Sequence, residues 1–383
     1  MTYKNYFCKS IVKYNMRIRA AIALSLSLLA GCAGQKETGN ADDITTYSSL
    51  LGITQQNDDT TAVVANPWKS GSTLRTYHLS SVKPSGFSYS EPDCTVRIPL
   101  RRVVVMTNSI ARLLSETGLA GSIAGVCEPE YIKDPLINAL LADGSIQNCG
   151  NSMHPDIERI ISLSPDAIFV SPFQESGYGQ LERLGIPLIE CADYMETSPL
   201  GRAEWMRFYG RLFGKGLVAD SLFRDICGKY DELREMAATC SSRPTVMLDT
   251  RGGSAWYVAG GRSTIGRMIA DAGGRYLFDG NHQSGSVPLS FESVYEKAAD
   301  ADVWLLKNSS TSSKLTYRLL KEDFSSYARF RPFRERNIWV CDVYDTPYFE
   351  VSSFHPELLL QDFVSILHPE CSLDKTFYHP LAE

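Results

Sequence analysis

One run constrains this chain more than any other: Gly216 to Thr239, long, free of proline, and set between two stretches of short apolar segments. Apolar residues fall at Val218, Leu222, Ile226, Tyr230, Leu233 and Ala237, in steps of four or three that mark one helical stripe. Asp220 with Arg224 and Asp231 with Arg234 add acid-first pairs on the other face. Ser241, Ser242 and Pro244 end the run. At ~1.5 Å per residue, roughly 24 residues span about 36 Å, the width of a small domain. Such a helix is either an ordinary surface helix or a strut tying two domains together. Residues 198–215, which precede it, read as a separate helix in which Arg202, Glu204 and Trp205 pack the first domain onto the strut. Gly228 interrupts the strut and predicts close packing there.

The flanking pattern decides between strut and surface helix. Before it, VVVM at 103–106 reads as a buried strand entering a capped helix at Thr107-Asn108-Ser109. Strands at 122–126, 167–170 and 187–189 then alternate with helices at 135–141, 155–163 and 177–184. After the strut, strands at 245–248, 256–259, 303–306 and 338–341 alternate with helices at 263–272, 291–299 and 356–367. Strands alternating with helices imply parallel, doubly covered sheets. The fold class is therefore α/β: two lobes with central sheets flanking one long α-helix. The expected divisions are 102–214 for lobe one, 215–241 for the linking helix and 242–383 for lobe two. Short β-like runs at 60–68 and 75–79 predict a small N-terminal β-hairpin within an extension at 60–101.

The chain has 383 residues, 44% of them hydrophobic and 21% charged, enough for two cores. Residues 1–31 stand apart. Lys4, Lys9, Lys13, Arg17 and Arg19 precede an apolar run ending in Leu29-Ala30-Gly31-Cys32, which resembles a lipoprotein signal. Cys32 is then the acylated first residue of the mature chain, with Met1 and Met16 both open as starts. The run is about ten residues long, half of what a membrane-spanning helix needs. Removing five basic residues and no acidic one takes the formal net charge from −6 to −11. So acidic a body disfavours nucleic acid as a partner. Residues 32–59 read as a flexible tether. The eight cysteines beyond Cys32 contain no CxxC, which argues against structural zinc and thioredoxin chemistry; an exported chain permits disulfides, but eight cysteines allow 105 pairings. No GxSxG, HExxH, GxxxxGK[ST] or post-strand GxGxxG occurs, so no enzyme is expected.

Six stretches in order, DIERIISLSPDAIFV (156–170), LERLGIPLIE (181–190), SPLGRAEWMRFYGRLFGK (198–215), AWYVAGGRSTIGRMIADAGG (255–274), SFESVYEKAADADVWLL (290–306) and HPELLLQDFVSILHPE (355–370), resemble the periplasmic binding proteins of ABC importers for ferric siderophores, haem and vitamin B12. The resemblance runs most closely from 102 to 368. It implies two Rossmann-like lobes joined by one long α-helix, and a monomer that holds a ferric chelate, haem or cobalamin in the cleft between its lobes, has no intrinsic cofactor, and hands its ligand to a permease with its ATPase. In that family a glutamate on top of each lobe meets permease arginines. Glu158 matches the first. Glu292 resembles the second but stands two residues out of the usual spacing, which leaves Glu296 as a competitor.

For the cleft, aromatic side chains in polar loops fit a large planar or chelated ligand: Trp256, Tyr257, Tyr178, Tyr194, Tyr348 and Phe349. Trp256 and Tyr257 read equally well as core. Arg251, directly after a strand and before two glycines, suits a ligand carboxylate. A related branch binds Zn²⁺ or Mn²⁺ through histidines, which makes His154, His282 and His355 weak metal candidates and a Zn/Mn receptor an alternative. A second alternative is a scavenger or scaffold lipoprotein working without a permease.

Overall fold

The computed structural model describes residues 42–56, 59–82, 93–174, 177–309 and 314–383, and the folded body runs from Asp43 to Glu383. The signal segment and Cys32 lie outside the described residues.

The chain first forms a sheet of β1 (Leu51–Gln56), β2 (Asp59–Ala65), β3 (Thr73–Ser80) and β4 (Asp93–Arg97). Neighbours pair antiparallel except β3 and β4, which run parallel. Leu51, Ile53, Ala62, Val64, Tyr77, Leu79, Cys94 and Val96 alternate inward, giving the sheet one buried face. This corrects two expectations. The tether read at 32–59 already contains a core strand by Leu51, and the hairpin is part of a larger sheet. The reason lies in two buried carboxylates far along the chain. Glu204 accepts the amide hydrogens of Thr46, Tyr47 and Ser48 at 2.7–2.8 Å. Glu196 accepts those of Ser49 and Leu50 and the indole hydrogen of Trp205. Polar residues that looked like tether are thus capped by side chains about 150 positions away. Glu204 and Trp205 hold the N-terminal segment rather than joining lobe one to the strut.

Lobe one comprises β5 (Val103–Val105), α1 (Asn108–Glu116), β6 (Ile123–Val126), α2 (Pro135–Ala142), β7 (Gln147–Asn148), α3 (Ile157–Leu163), β8 (Ala167–Val170), β9 (Leu188–Glu190) and α4 (Pro199–Leu212). Its strands lie in the order β9-β8-β5-β6-β7, all parallel. Every residue of β5, β6, β8 and β9 is buried, as a sheet covered on both faces requires. Tyr77 clamps the N-terminal sheet to this edge: its hydroxyl donates to the Leu188 carbonyl at 3.0 Å and accepts from the Glu190 amide at 2.8 Å.

The strut is α5 (Gly216–Thr239). Its buried residues are Ala219, Phe223, Ile226, Tyr230, Leu233 and Ala237, so the seam differs from the expected stripe in its first two turns. Three successive steps of four drift about 40° each, which places Val218 about 80° from Ile226, whereas alternating fours and threes stay in line. Asp220 does not pair with Arg224. It accepts from Arg207 and Arg211 of α4 at 2.8–2.9 Å, binding the two helices together. A Cβ at Gly228 meets nothing within 4 Å, so no close packing explains that glycine.

Lobe two comprises β10 (Thr245–Leu248), β11 (Ala255–Ala259), α6 (Thr264–Asp271), β12 (Ser286–Leu289), α7 (Phe291–Ala298), β13 (Val303–Asn308), α8 (Tyr317–Asp323), β14 (Ile338–Asp342), α9 (Tyr348–Val351) and α10 (Pro356–Leu367). Its main sheet runs from Arg275–Tyr276 through β10, β13 and β14, parallel throughout, to an antiparallel edge at His379–Pro380. Trp256, Trp304, Tyr327 and Phe330 fill its interior, with ring centroids 5.3–5.8 Å apart. No helix among the described residues is long and apolar enough to cross a membrane.

Candidate ligand cleft

Both parallel sheets point their carboxyl ends at one cavity of about 630 Å³ between the lobes, the place where open α/β sheets hold ligands. Lobe one contributes Asn108 beyond β5 and Tyr131 and Lys133 beyond β6. Lobe two contributes Asp249, Thr250, Arg251 and Gly252 beyond β10, Lys307 and Ser309 at the end of β13, Tyr344 and Thr346 beyond β14, and Phe349 and Glu350 from α9. Tyr257 of β11 and Ser286 of β12 complete the wall.

Two contacts bring the lobes together around it. The Tyr131 and Tyr344 rings meet at 5.8 Å, and the Lys133 amide donates to Glu350 Oε1 at 2.8 Å. A third tie lies beside α1: His355 is held by Glu357 at 2.9 Å and by Glu116 of lobe one at 2.8 Å. Burial opposes charge on that imidazole, but the two carboxylates outweigh it and push the group up to about 9.

The cleft's charges are arranged in two kinds. Lys307 Nζ sits 2.8 Å from both oxygens of Asp249; burial disfavours the ammonium, and Asp249 more than compensates, so its proton is held more tightly than usual. Asp249 adopts the left-handed region at φ 53°, aimed at Lys307 while its own carbonyl accepts from the Trp304 indole at 2.8 Å. Lys133 and Arg251, by contrast, make no ion pair among the described residues. The Arg251 guanidinium lies 4.2 Å over the Phe324 ring, its amide donates to the Tyr327 hydroxyl, and its buried Nε has no acceptor among the described residues. Glu350 Oε2 is likewise buried without a donor among them, and burial raises the Glu350 carboxyl above its ordinary range. Buried polar atoms without partners are uncommon, and here two of them lie on residues of one cavity wall.

Of the residues singled out from the sequence, Arg251, Tyr257 and Phe349 line this cavity. Trp256 does not: it is fully buried, stacks on Trp304 at 5.8 Å, and donates its indole hydrogen to Leu248. Tyr348 is also core, packed edge-on against Phe377. Trp256 follows from strand alternation, which turns its neighbour Tyr257 outward, while on the helix α9 Phe349 lies about 100° round from Tyr348 and takes the exposed side. Tyr178 and His154 border a separate depression of about 460 Å³ confined to lobe one. Tyr194 donates to the Pro172 carbonyl and packs on Phe173 away from the main cavity. His282 is exposed, and His355 has a carboxylate on each nitrogen, so none of the three histidines lines the cleft. Sequence reasoning missed Tyr131, Lys133, Asp249, Lys307, Tyr344 and Glu350. The rule that picked Arg251, a residue just past a strand's carboxyl end, also points to Asp249, Lys307 and Tyr344, but not to Tyr131 and Lys133, which follow a turn beyond β6.

A family model described as periplasmic binding protein matches residues 103–342, both sheets and the strut between them. The chain belongs to this family. Periplasmic binding proteins of this kind are solute-binding proteins rather than enzymes and work with ABC importer permeases. An uncharacterized lipoprotein of Methanocaldococcus jannaschii is 29% identical over 288 residues, covering 72% of this chain and 67% of the relative. A periplasmic heme binding protein from Pseudomonas aeruginosa is similar in structure, with TM-score 0.57, 16% identity, and coverage of 74% of this chain and 99% of that one. The structure of an ABC-type Fe3+-hydroxamate transport system from Saccharomonospora viridis gives TM-score 0.55, 19% identity, and coverage of 70% and 94%. These two share the fold with this periplasmic binding protein.

Glu158 and Glu292 occupy equivalent places in the two lobes. Each is exposed and is the second residue of its helix, α3 or α7, behind an N-cap, Asp156 or Ser290, whose side chain accepts the third amide. Glu296 lies one turn further along α7, also exposed.

Proposed function

We propose that this chain captures an anionic ferric chelate, with haem and cobalamin as the other members of the ligand class, and delivers it from a lipid anchor at Cys32 to an ABC permease. The observation that carries this reading is the pair of cations without ion-pair partners among the described residues, Lys133 and Arg251, one on each lobe, in a cleft walled by Tyr131, Tyr257, Tyr344 and Phe349. Three cations line a cavity that holds two carboxylates, in a chain of net charge −6. Carboxylates of a chelate suit the guanidinium and ammonium, and its ring surfaces suit the aromatic wall. The volume falls within the range of small-molecule sites. Haem binding by the Pseudomonas aeruginosa protein and the hydroxamate system of the Saccharomonospora viridis protein support the same class. A Zn/Mn receptor is less favoured, because no histidine lines the cavity.

Glu158 and Glu292 are proposed as the docking pair, on the strength of their equivalent positions; Glu296 is the rival on lobe two. The lipoprotein name of the Methanocaldococcus jannaschii relative supports the anchor. Titrating the purified chain in detergent with ferric siderophores, haem and cobalamin, while following quenching of Trp256 and Trp304 beneath the cleft, tests the ligand class. Binding of at least one, weakened in Arg251→Ala and Lys133→Ala, is expected; absence of binding to all three classes sinks the reading.

A further inference from the structure

Where the strut ends, lobe two assembles a second group of ligating atoms that the cleft does not use. Cys240 is the residue on which α5 terminates, and His368 ends α10; Glu370 and Cys371 lie in the turn Pro369–Cys371. Cys240 Sγ lies 3.8 Å from Cys371 Sγ. Glu370 Oε1 lies 3.8 Å from His368 Nδ1, and one ligand atom each from Cys240, His368 and Glu370 fall within 4.8 Å of one another.

The orientation of His368 is fixed by its surroundings. The ring is fully buried, and Nε2 lies 3.0 Å from the Ala272 carbonyl, which only accepts; Nε2 therefore carries the hydrogen. The Nδ1 lone pair is then left facing the Ser242 hydroxyl at 3.2 Å and Glu370 Oε1 at 3.8 Å. An imidazole whose outer N–H is held by a backbone carbonyl is the usual arrangement of a metal-bound histidine. Room for it comes from Gly273, at φ +73°, where a Cβ would sit 2.8 Å from Nε2.

We propose that Cys240, His368, Glu370 and Cys371 form a zinc site that staples the C-terminal end of the strut to the last helix of lobe two. Zinc bonds of about 2.3 Å to sulfur in a tetrahedron put two sulfurs roughly 3.8 Å apart, the separation found here, whereas a disulfide needs about 2.05 Å. The other separations close by rotating half-exposed Cys240 and exposed Glu370, with buried His368 unmoved. Thiolate and imidazole donors select zinc over calcium or magnesium. On binding, the two thiols lose their protons to solvent and the metal takes both thiolates and the Nδ1 lone pair. None of the four residues lines the ligand cavity, so the site serves the scaffold and stands independently of what the cleft holds.

The test uses the full chain in detergent, stripped with a chelator, kept reduced, and titrated with Co²⁺ and then Zn²⁺. One Co²⁺ per chain with a thiolate-to-cobalt charge-transfer band, displaced by one Zn²⁺, is expected. Cys240→Ser and Cys371→Ser each weaken zinc by ~100-fold or more, and Cys227→Ser, on the same helix, leaves it unchanged. Far-UV circular dichroism checks that the variants fold, and zinc raises the unfolding midpoint of the native chain but not of Cys371→Ser. A reduced chain that binds no cobalt, a band that survives Cys371→Ser, or a Cys240–Cys371 disulfide whose reduction yields no metal binding would each overturn the proposal.

Discussion

His355 makes a strong prediction about pH, because it joins two lobes and sits between two carboxylates. Its folded-state value of about 9 exceeds the ordinary 6.5, so the folded chain holds this proton more tightly than the unfolded chain does. The resulting stabilisation is complete below about pH 6.5 and is lost as pH rises through 9. At 1.36 kcal/mol per unit, the gap corresponds to about 3 kcal/mol. His355→Gln keeps a polar side chain of similar reach but no titratable charge. Urea unfolding midpoints of the native and variant chains, measured from pH 6 to pH 10, give the readout. The variant is expected to be less stable by about 3 kcal/mol at pH 6, with the difference shrinking steadily toward pH 10. Reading the difference between the two proteins cancels the other groups that titrate at high pH. Glu116→Gln removes one of the two carboxylates and narrows the window from its upper end. A difference that stays constant across the range would refute the argument, since it would mean that the bridge works by packing and hydrogen bonding rather than by charge.

Three further outcomes rest on particular contacts. Gly228→Ala, exposed and open on α5, is expected to stabilise the chain by about 1 kcal/mol in urea unfolding with ligand affinity unchanged; destabilisation would reveal a role for the glycine. Glu204→Ala strips an acceptor from three amides and one of the two carboxylates from Arg207, which keeps Asp220 and the Ile44 carbonyl, at a cost of about 3 kcal/mol, and limited proteolysis is expected to cut near Thr46 in the variant first; a native-like digest would contradict that anchoring role. Glu158→Ala and Glu292→Ala are expected to reduce ligand uptake in permease-containing vesicles with ligand affinity intact, and a loss in Glu296→Ala but not Glu292→Ala would move the lobe-two contact one turn along α7.

Much of the fold was legible because the segments that specify it are local and strongly patterned. The strands at 103–105, 167–170 and 245–248 are short, wholly apolar or nearly so, and bounded by charge or turn residues, and a parallel sheet buried on both faces requires that pattern. The strut was legible for a similar reason: an unbroken helical period carries its own signal. What the pattern left undefined was the angle of the seam. Ala219 and Phe223 replaced Val218 and Leu222 because α4 presents Arg207 and Arg211 to Asp220, and that turns the helix onto its partner.

The sites divide along the same line. Arg251 was readable because its place, just past a strand's carboxyl end, is a local property, and Tyr257 and Phe349 were readable as aromatics although their neighbours Trp256 and Tyr348 turned out to be core. No sequence pattern separates such neighbours until the direction of each side chain is known. Glu204 reaching Thr46, His355 reaching Glu116 and Cys240 reaching Cys371 span 158, 239 and 131 positions, distances over which spacing carries no signal. The sequence by itself determined the two α/β lobes and the helix between them, since hydrophobic periodicity is written residue by residue, and the resemblance of six stretches in order pointed to the family. Only the tertiary structure decided which cations meet in the cleft, which carboxylates hold the N-terminus, and which thiols, imidazole and carboxylate converge at the end of the strut, because those depend on where separate elements come to rest against each other.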